Sequence, residues 1–119
     1  MQHIGVDIVE IGRIQKAIDR WGSGFLERVY TRPELELYAK NPSSLAARFS
    51  GKEAVIKALD CRSIGLKEIE ILSDASGKPQ IHLYGKAQHQ AEDIGLSDIS
   101  ISLSHCRDYA VACAIGQSK

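Results

Sequence analysis

The sequence predicts an α+β fold, with helices in the first half packed on a small, mainly antiparallel sheet. Three observations predict it. One opening strand is followed by apolar residues at helical spacing from Glu10 to about Asp60, and from Ile69 onward the pattern is mostly strand-like and hairpin-linked. Helices and strands segregated in this way belong to α+β rather than alternating α/β chains. At 119 residues the chain has the length of one domain, 1–119, and it holds no repeat, low-complexity segment or linker.

His3 to Val9 alternates as a strand, with Ile4, Val6 and Ile8 on one face and Gly5, Asp7 and Val9 on the other. An acid in such a strand fits a wet second face or a site. Gly5, on the same face, leaves room beside the carboxylate for a ligand or another backbone. From Glu10 to Trp21 the period becomes helical through Ile11, Ile14, Ile18 and Trp21, while Arg13, Lys16 and Arg20 form a basic stripe on the outer side. Gly22-Ser23-Gly24 stops this helix, and Phe25 to Tyr30 forms a short helical piece with Phe25 and Arg28 one turn apart. Thr31 caps a third helix, with Pro33 and Glu34 early in it as helix starts prefer, and it stops near Asn41-Pro42.

Ser43 or Ser44 then caps the long central helix, which ends around Asp60. Leu45, Phe49, Val55, Ile56 and Leu59 make one apolar arc, with Arg48 and Lys52 inside it and Glu53 and Lys57 on its flank. Ala47, Gly51, Ala54 and Ala58 form a strip of small residues that admits a second backbone. Charges inside an apolar arc cost several kcal/mol unless they are paired or bind something. A solvated reading also exists: a surface Glu53–Lys57 pair at i,i+4, with Arg48 and Lys52 reaching out to water.

Beyond the helix, Ile69 to Leu72 and Gln80 to Tyr84 read as strands joined by the turn chemistry of Asp74 to Pro79. Lys86 to Ile94 is a short polar helix ended by Gly95. Ile99, Ile101 and Leu103 alternate with Ser100, Ser102 and Ser104, and the nearly all-apolar run Tyr109 to Ile115 reads as a central strand.

Composition excludes several classes. Formal net charge is zero, so nothing draws the whole chain to nucleic acid or anionic membrane, and any basic surface is local. The apolar runs are far short of a membrane span, and the N-terminus has no signal-peptide pattern. Cys61, Cys106 and Cys113 show no metal spacing and suit thiols in a reducing cytoplasm. Ser50-Gly51-Lys52-Glu53 lacks the earlier glycine and the final Ser/Thr of a P-loop, and Ser104 and His105, adjacent on a strand, should point apart.

The chemistry-bearing set that remains is Asp7, Glu53, Arg48, Lys52 and Lys57. Two acids on separate elements with cations alongside suit Mg²⁺ shared between protein carboxylates and substrate phosphates. Phosphoryl transfer needs that neutralisation and positioning more than a reactive side chain.

Ile4-Gly5-Val6-Asp7-Ile8-Val9-Glu10-Ile11-Gly12-Arg13, followed by Arg48-Phe49-Ser50-Gly51-Lys52-Glu53-Ala54-Val55-Ile56-Lys57-Ala58, resembles the two-part signature of the 4′-phosphopantetheinyl transferases, in particular their small bacterial holo-(acyl carrier protein) synthase branch. Phe25 to Glu34, Gly77-Lys78-Pro79 and Ser102-Leu103-Ser104-His105 extend the resemblance over essentially the whole chain. The resemblance implies that a serine of apo acyl carrier protein attacks the β-phosphate of coenzyme A, releasing adenosine 3′,5′-bisphosphate. By the same resemblance Asp7 and Glu53 bind Mg²⁺, and Lys57 offsets charge on the leaving group. The resemblance leaves the acceptor of the serine proton open; Glu53, through a metal-held water, is the expected one. Arg48, Lys52, Lys57, Gly77, Lys78, Pro79, Ser104 and His105 are expected to contact coenzyme A, and Arg13, Phe25 and Arg28 to dock the acidic carrier. The small family members form homotrimers with sites at subunit interfaces, which implies the same here. Two other functions fit the same residues: a Mg²⁺-dependent nucleotide or diphosphate hydrolase, and a non-enzymatic binding module for an acidic helical partner.

Overall fold

The computed structural model describes residues 1–118. Strand β1 (Gln2–Glu10) leads directly into helices α1 (Ile11–Trp21), α2 (Ser23–Val29), α3 (Arg32–Tyr38) and α4 (Pro42–Leu59). A 3₁₀ turn (Leu66–Glu68) opens the second half, followed by β2 (Ile69–Ser73), β3 (Pro79–Leu83), α5 (Gly85–Asp93), β4 (Leu96–His105) and β5 (Tyr109–Ser118). The strands form a three-stranded antiparallel sheet in the order β1-β5-β4 and a separate β2-β3 hairpin. The apolar run at the end of the chain is thus the central strand, as its composition predicts, and the α+β class stands.

Helix starts follow local chemistry. Thr31 makes a full capping box with Glu34: Glu34 N–H reaches Thr31 Oγ1 at 3.4 Å, and Thr31 N–H reaches Glu34 Oε1 at 2.8 Å. Helix α4 starts earlier than expected. Asn41, not a serine, is the cap, its Oδ1 accepting from Ser44 N–H at 3.1 Å, with Pro42 at the first helical position. Asn outranks a Ser placed inside the first turn, because the cap residue itself must stay non-helical.

Helix α4 lies across the inner face of the large sheet and is buried almost all round. Leu45, Val55 and Leu59 are fully buried, and one core gathers Val55, Leu59, Ile69, Ile71 and Ile101 around it. A second core, around Ile14, Val29, Tyr30 and Leu45, ties α1 and α2 to its first turns. Trp21, expected on the apolar side of α1, is 62% exposed; it stands at the helix end, with the Arg20 guanidinium 4.9 Å above its ring.

The closest approach is between β1 and α4. A Cβ built on Gly5 would overlap the Ala54 carbonyl oxygen and stand 2.9 Å from Ala58 N. The space that Gly5 leaves is filled by the backbone of α4, through its strip of small residues. Consequently Gly5, Asp7 and Val9 face the helix, while Ile4, Val6 and Ile8 are 59%, 56% and 63% exposed. Hydropathy alone points the other way.

Candidate functional site

Asp7 is fastened by two residues of α4. Ser50 Oγ donates to the Asp7 carbonyl at 2.7 Å and lies 3.3 Å from its Oδ2. Lys57 Nζ donates to the Val6 carbonyl at 2.9 Å and lies 3.2 Å from Asp7 Oδ1. Ser50, Glu53 and Lys57 follow one another at i, i+3 and i+7, so they form a single strip of α4 turned toward β1. Lys57 therefore pairs with Asp7, and the surface Glu53–Lys57 pair that spacing allowed is not what forms.

Glu53 lies beside this pair, half-buried. Its carboxyl is pushed above the ordinary carboxylate value, chiefly because burial strips water from the ionised form and also because the Asp7 charge repels it; Lys57 partly offsets both. Two carboxylates forced together in this way favour a bound cation. Among the described residues no third His, Cys, Asp or Glu joins them. A two-carboxylate set fits a hard ion that takes its other ligands from water and phosphate oxygens.

Glu53 also forms part of two clefts. One, of about 500 Å³, is lined by Glu53, Lys57, Asp60, Cys61 and Arg62 over the apolar Ile56, Ile64 and Leu66. The other, of about 300 Å³, runs past Asp7, Val9, Arg13, Ala17, Phe25 and Phe49. Phe25 continues into a third groove with Trp21 and Arg28. The expected Asp7, Glu53, Lys57, Arg13, Phe25 and Arg28 are thus brought onto one continuous surface.

Arg48 and Lys52, expected to contact coenzyme A, are both engaged within the chain. Lys52 is fully buried, and its ammonium is taken up by Glu34 Oε1 at 2.7 Å and the Ile69 and Leu66 carbonyls at 2.6 and 3.0 Å. Arg48 is buried too; its guanidinium lies 3.5 Å from the Tyr38 ring centre and donates to the Ile71 carbonyl at 3.1 Å and Ser73 Oγ at 2.8 Å. Both cations serve the chain's own acceptors on β2 and its approach.

Gly77, Lys78 and Pro79 form the far side of the β2-β3 turn, where the Asp74 carboxylate accepts from Ser76 N–H at 2.9 Å and Lys78 N–H at 3.0 Å. Ser73, just before that turn, is held by Arg48, nine residues and about 13 Å along α4 from Lys57. Ser104 and His105 end β4 in the rows of Ile8 and Val9, two strands away and about 10 Å across the sheet. Within one chain these five residues line neither of the clefts that Glu53 borders.

Two residues that matter here escaped the sequence reading. Ser50 carries no signal, being a small residue in a helix. Glu34 was legible as a capping residue, but nothing local shows that its carboxylate also receives Lys52 and the Ile71 N–H, the latter at 2.8 Å.

Residues 3–114 match the family model described as the 4′-phosphopantetheinyl transferase superfamily. A holo-[acyl-carrier-protein] synthase of Dehalococcoides mccartyi is 48% identical over 118 residues, 98% of this chain and 99% of that one. Among solved structures, the Helicobacter pylori holo-[acyl-carrier-protein] synthase in complex with coenzyme A superimposes with a TM-score of 0.86 at 32% identity, over 96% of this chain and 99% of that one. The holo-ACP-synthase of Plasmodium yoelii does so with a TM-score of 0.88 at 28% identity, over 98% and 94% of the two chains.

Proposed function

The chain belongs to the 4′-phosphopantetheinyl transferase superfamily and is a phosphopantetheinyl transferase, and we propose that it moves 4′-phosphopantetheine from coenzyme A to a serine of apo acyl carrier protein. The observation that carries this reading is the meeting of Asp7, Glu53 and Lys57 on the strip where α4 crosses β1. The serine oxygen forms a bond to the β-phosphorus of coenzyme A, the bond from that phosphorus to the bridging oxygen breaks, and adenosine 3′,5′-bisphosphate leaves. Glu53 takes the serine proton through an intervening water that its carboxylate orients. Lys57 stands where charge grows on the departing phosphate and stabilises it. Asp7 and Glu53 would hold Mg²⁺, which when bound neutralises the pyrophosphate.

The cleft bordered by Lys57 and Arg62 suits the anionic donor, and the one bordered by Arg13 and Phe25 suits the acceptor. Positive charge around an aromatic anchor steers and orients an acidic helical carrier more than it tightens binding. Arg13→Glu should therefore raise the carrier KM at least about tenfold, while the coenzyme A KM moves less than about twofold. Equal changes in both, in steady-state assays, would place docking elsewhere.

We further propose that the enzyme is a homotrimer with shared sites. The sheet face bearing Ile4, Val6, Ile8, Tyr109 and Ile115 is exposed and largely apolar, as a face covered by another copy would be. A neighbouring copy would bring Gly77, Lys78, Pro79, Ser104 and His105 to a donor site that one chain leaves without them. No helix among the described residues is long and apolar enough to cross a membrane, and the free Cys61, Cys106 and Cys113 suit work in the reducing cytoplasm.

Intact-mass spectrometry tests the central reading. Apo carrier protein should gain the mass of one phosphopantetheine when coenzyme A and Mg²⁺ are both supplied, and not when either is left out. No gain across several apo carriers would sink it.

A further inference from the structure

Lys52 is a fully buried charge that the proposed chemistry does not use. Its three donors are all engaged, and by three different segments: Glu34 of α3 at 2.7 Å, the Leu66 carbonyl of the 3₁₀ turn at 3.0 Å, and the Ile69 carbonyl at the start of β2 at 2.6 Å. Glu34 is equally complete. Besides Lys52 it accepts from Thr31 N–H and Ile71 N–H, each at 2.8 Å. Among the described residues no buried side-chain polar atom is left without a partner.

Such a pair is held well enough to offset its desolvation, yet apolar side chains of similar volume commonly do as well or better for stability. Stability alone therefore does not account for ions here. What hydrogen-bonded ions provide and apolar contacts do not is direction. Lys52 directly precedes Glu53 on α4, and the carbonyl it grips at Leu66 belongs to a residue lining the cleft that Glu53 and Lys57 also border. One ammonium thus spans from the helix that carries two reacting groups to the segment facing them.

We infer that Lys52, set in place by Glu34, is a positioning residue: it fixes the separation between α4 and the Leu66–Ile69 segment, and so the shape of the donor cleft. This rests on the reading of that cleft as the coenzyme A side of the site.

The test compares Lys52→Met with the double variant Glu34→Gln/Lys52→Met, in the full-length chain. The single variant leaves Glu34 buried without its cation and should lose most of its folded population. The double variant removes both charges and should recover most of the wild-type urea midpoint. Its coenzyme A KM should nevertheless stay raised at least about tenfold, with the carrier KM within about twofold of wild type. A merely structural role would not split the two constants in this way. A folded double variant with a wild-type coenzyme A KM overturns the inference. So does failure of both variants to fold, because the pair is then a requirement of folding and not of cleft shape. Absence of transfer by the wild-type enzyme would instead refute the functional reading, so the two failures are separable.

Discussion

Glu53→Gln should lower phosphopantetheine transfer by about 10²–10³-fold, the loss typical of removing one group that acts on developing charge or on a transferred proton. Glutamine keeps the shape of the side chain but neither takes a proton nor contributes charge to the acid pair. In the proposed docking mode Arg13, Phe25 and Arg28 hold the carrier, so the carrier KM should change far less than kcat. The same substitution should not destabilise the enzyme at neutral pH. Glu53 has a folded-state pKa raised above its ordinary value, by burial first and by Asp7 second. Its ionised form therefore opposes folding at any pH above the folded pKa, and that opposition is relieved as pH falls through it toward the unfolded value. Glutamine removes the opposition altogether, so the urea midpoint at pH 7, measured without divalent cations, should equal or exceed that of wild type. Full activity in single-turnover assays, or a clear loss of stability at pH 7, would remove Glu53 from the role assigned to it.

Gly5→Ala should be the most damaging single-methyl change in the molecule. The new Cβ would overlap the Ala54 carbonyl oxygen and stand 2.9 Å from Ala58 N, and both are helix backbone that cannot swing aside. Overpacking of this kind costs about 3 kcal/mol or more when no flexible side chain can yield. Relief requires β1 to withdraw from α4. Asp7, two residues along the same face, would withdraw with it and lose Ser50 and Lys57. Transfer should fall along with stability. Gly12→Ala is the control: nothing lies within 4 Å of its added Cβ on α1. There the gain in helix propensity should stabilise by about 0.5–1 kcal/mol. Urea unfolding of the two variants checks the pair, and equal midpoints would mean that β1 and α4 do not depend on this contact.

The site was legible in part because its pattern is partly local. Glu53 and Lys57 stand one turn apart on a recognisable helix, and Asp7 interrupts an otherwise apolar strand. Their joining was readable only through the resemblance of the two motifs to one family, since Asp7 and Glu53 stand 46 positions apart. The partners of Lys52 and Arg48 were not readable. Their acceptors include the backbone carbonyls of Leu66, Ile69 and Ile71, which every residue type carries and no pattern marks. Two charges inside an apolar arc showed that a partner was required. They could not show whether it was substrate or the chain itself.

By itself the sequence determined what depends on neighbours along the chain. The Thr31–Glu34 capping box, the turn chemistry from Asp74 to Pro79, the helical period of α4 and the apolar run of β5 are all set within a few residues, and each formed where its chemistry placed it. Tertiary structure decided what depends on which surfaces meet. Alternation in β1 distinguishes two faces but does not say which one is covered. Once Gly5 admits the backbone of α4, that face goes inward and takes Asp7 with it. The apolar Ile4, Val6 and Ile8 are left outside, and Lys57 is turned to Asp7 rather than to Glu53.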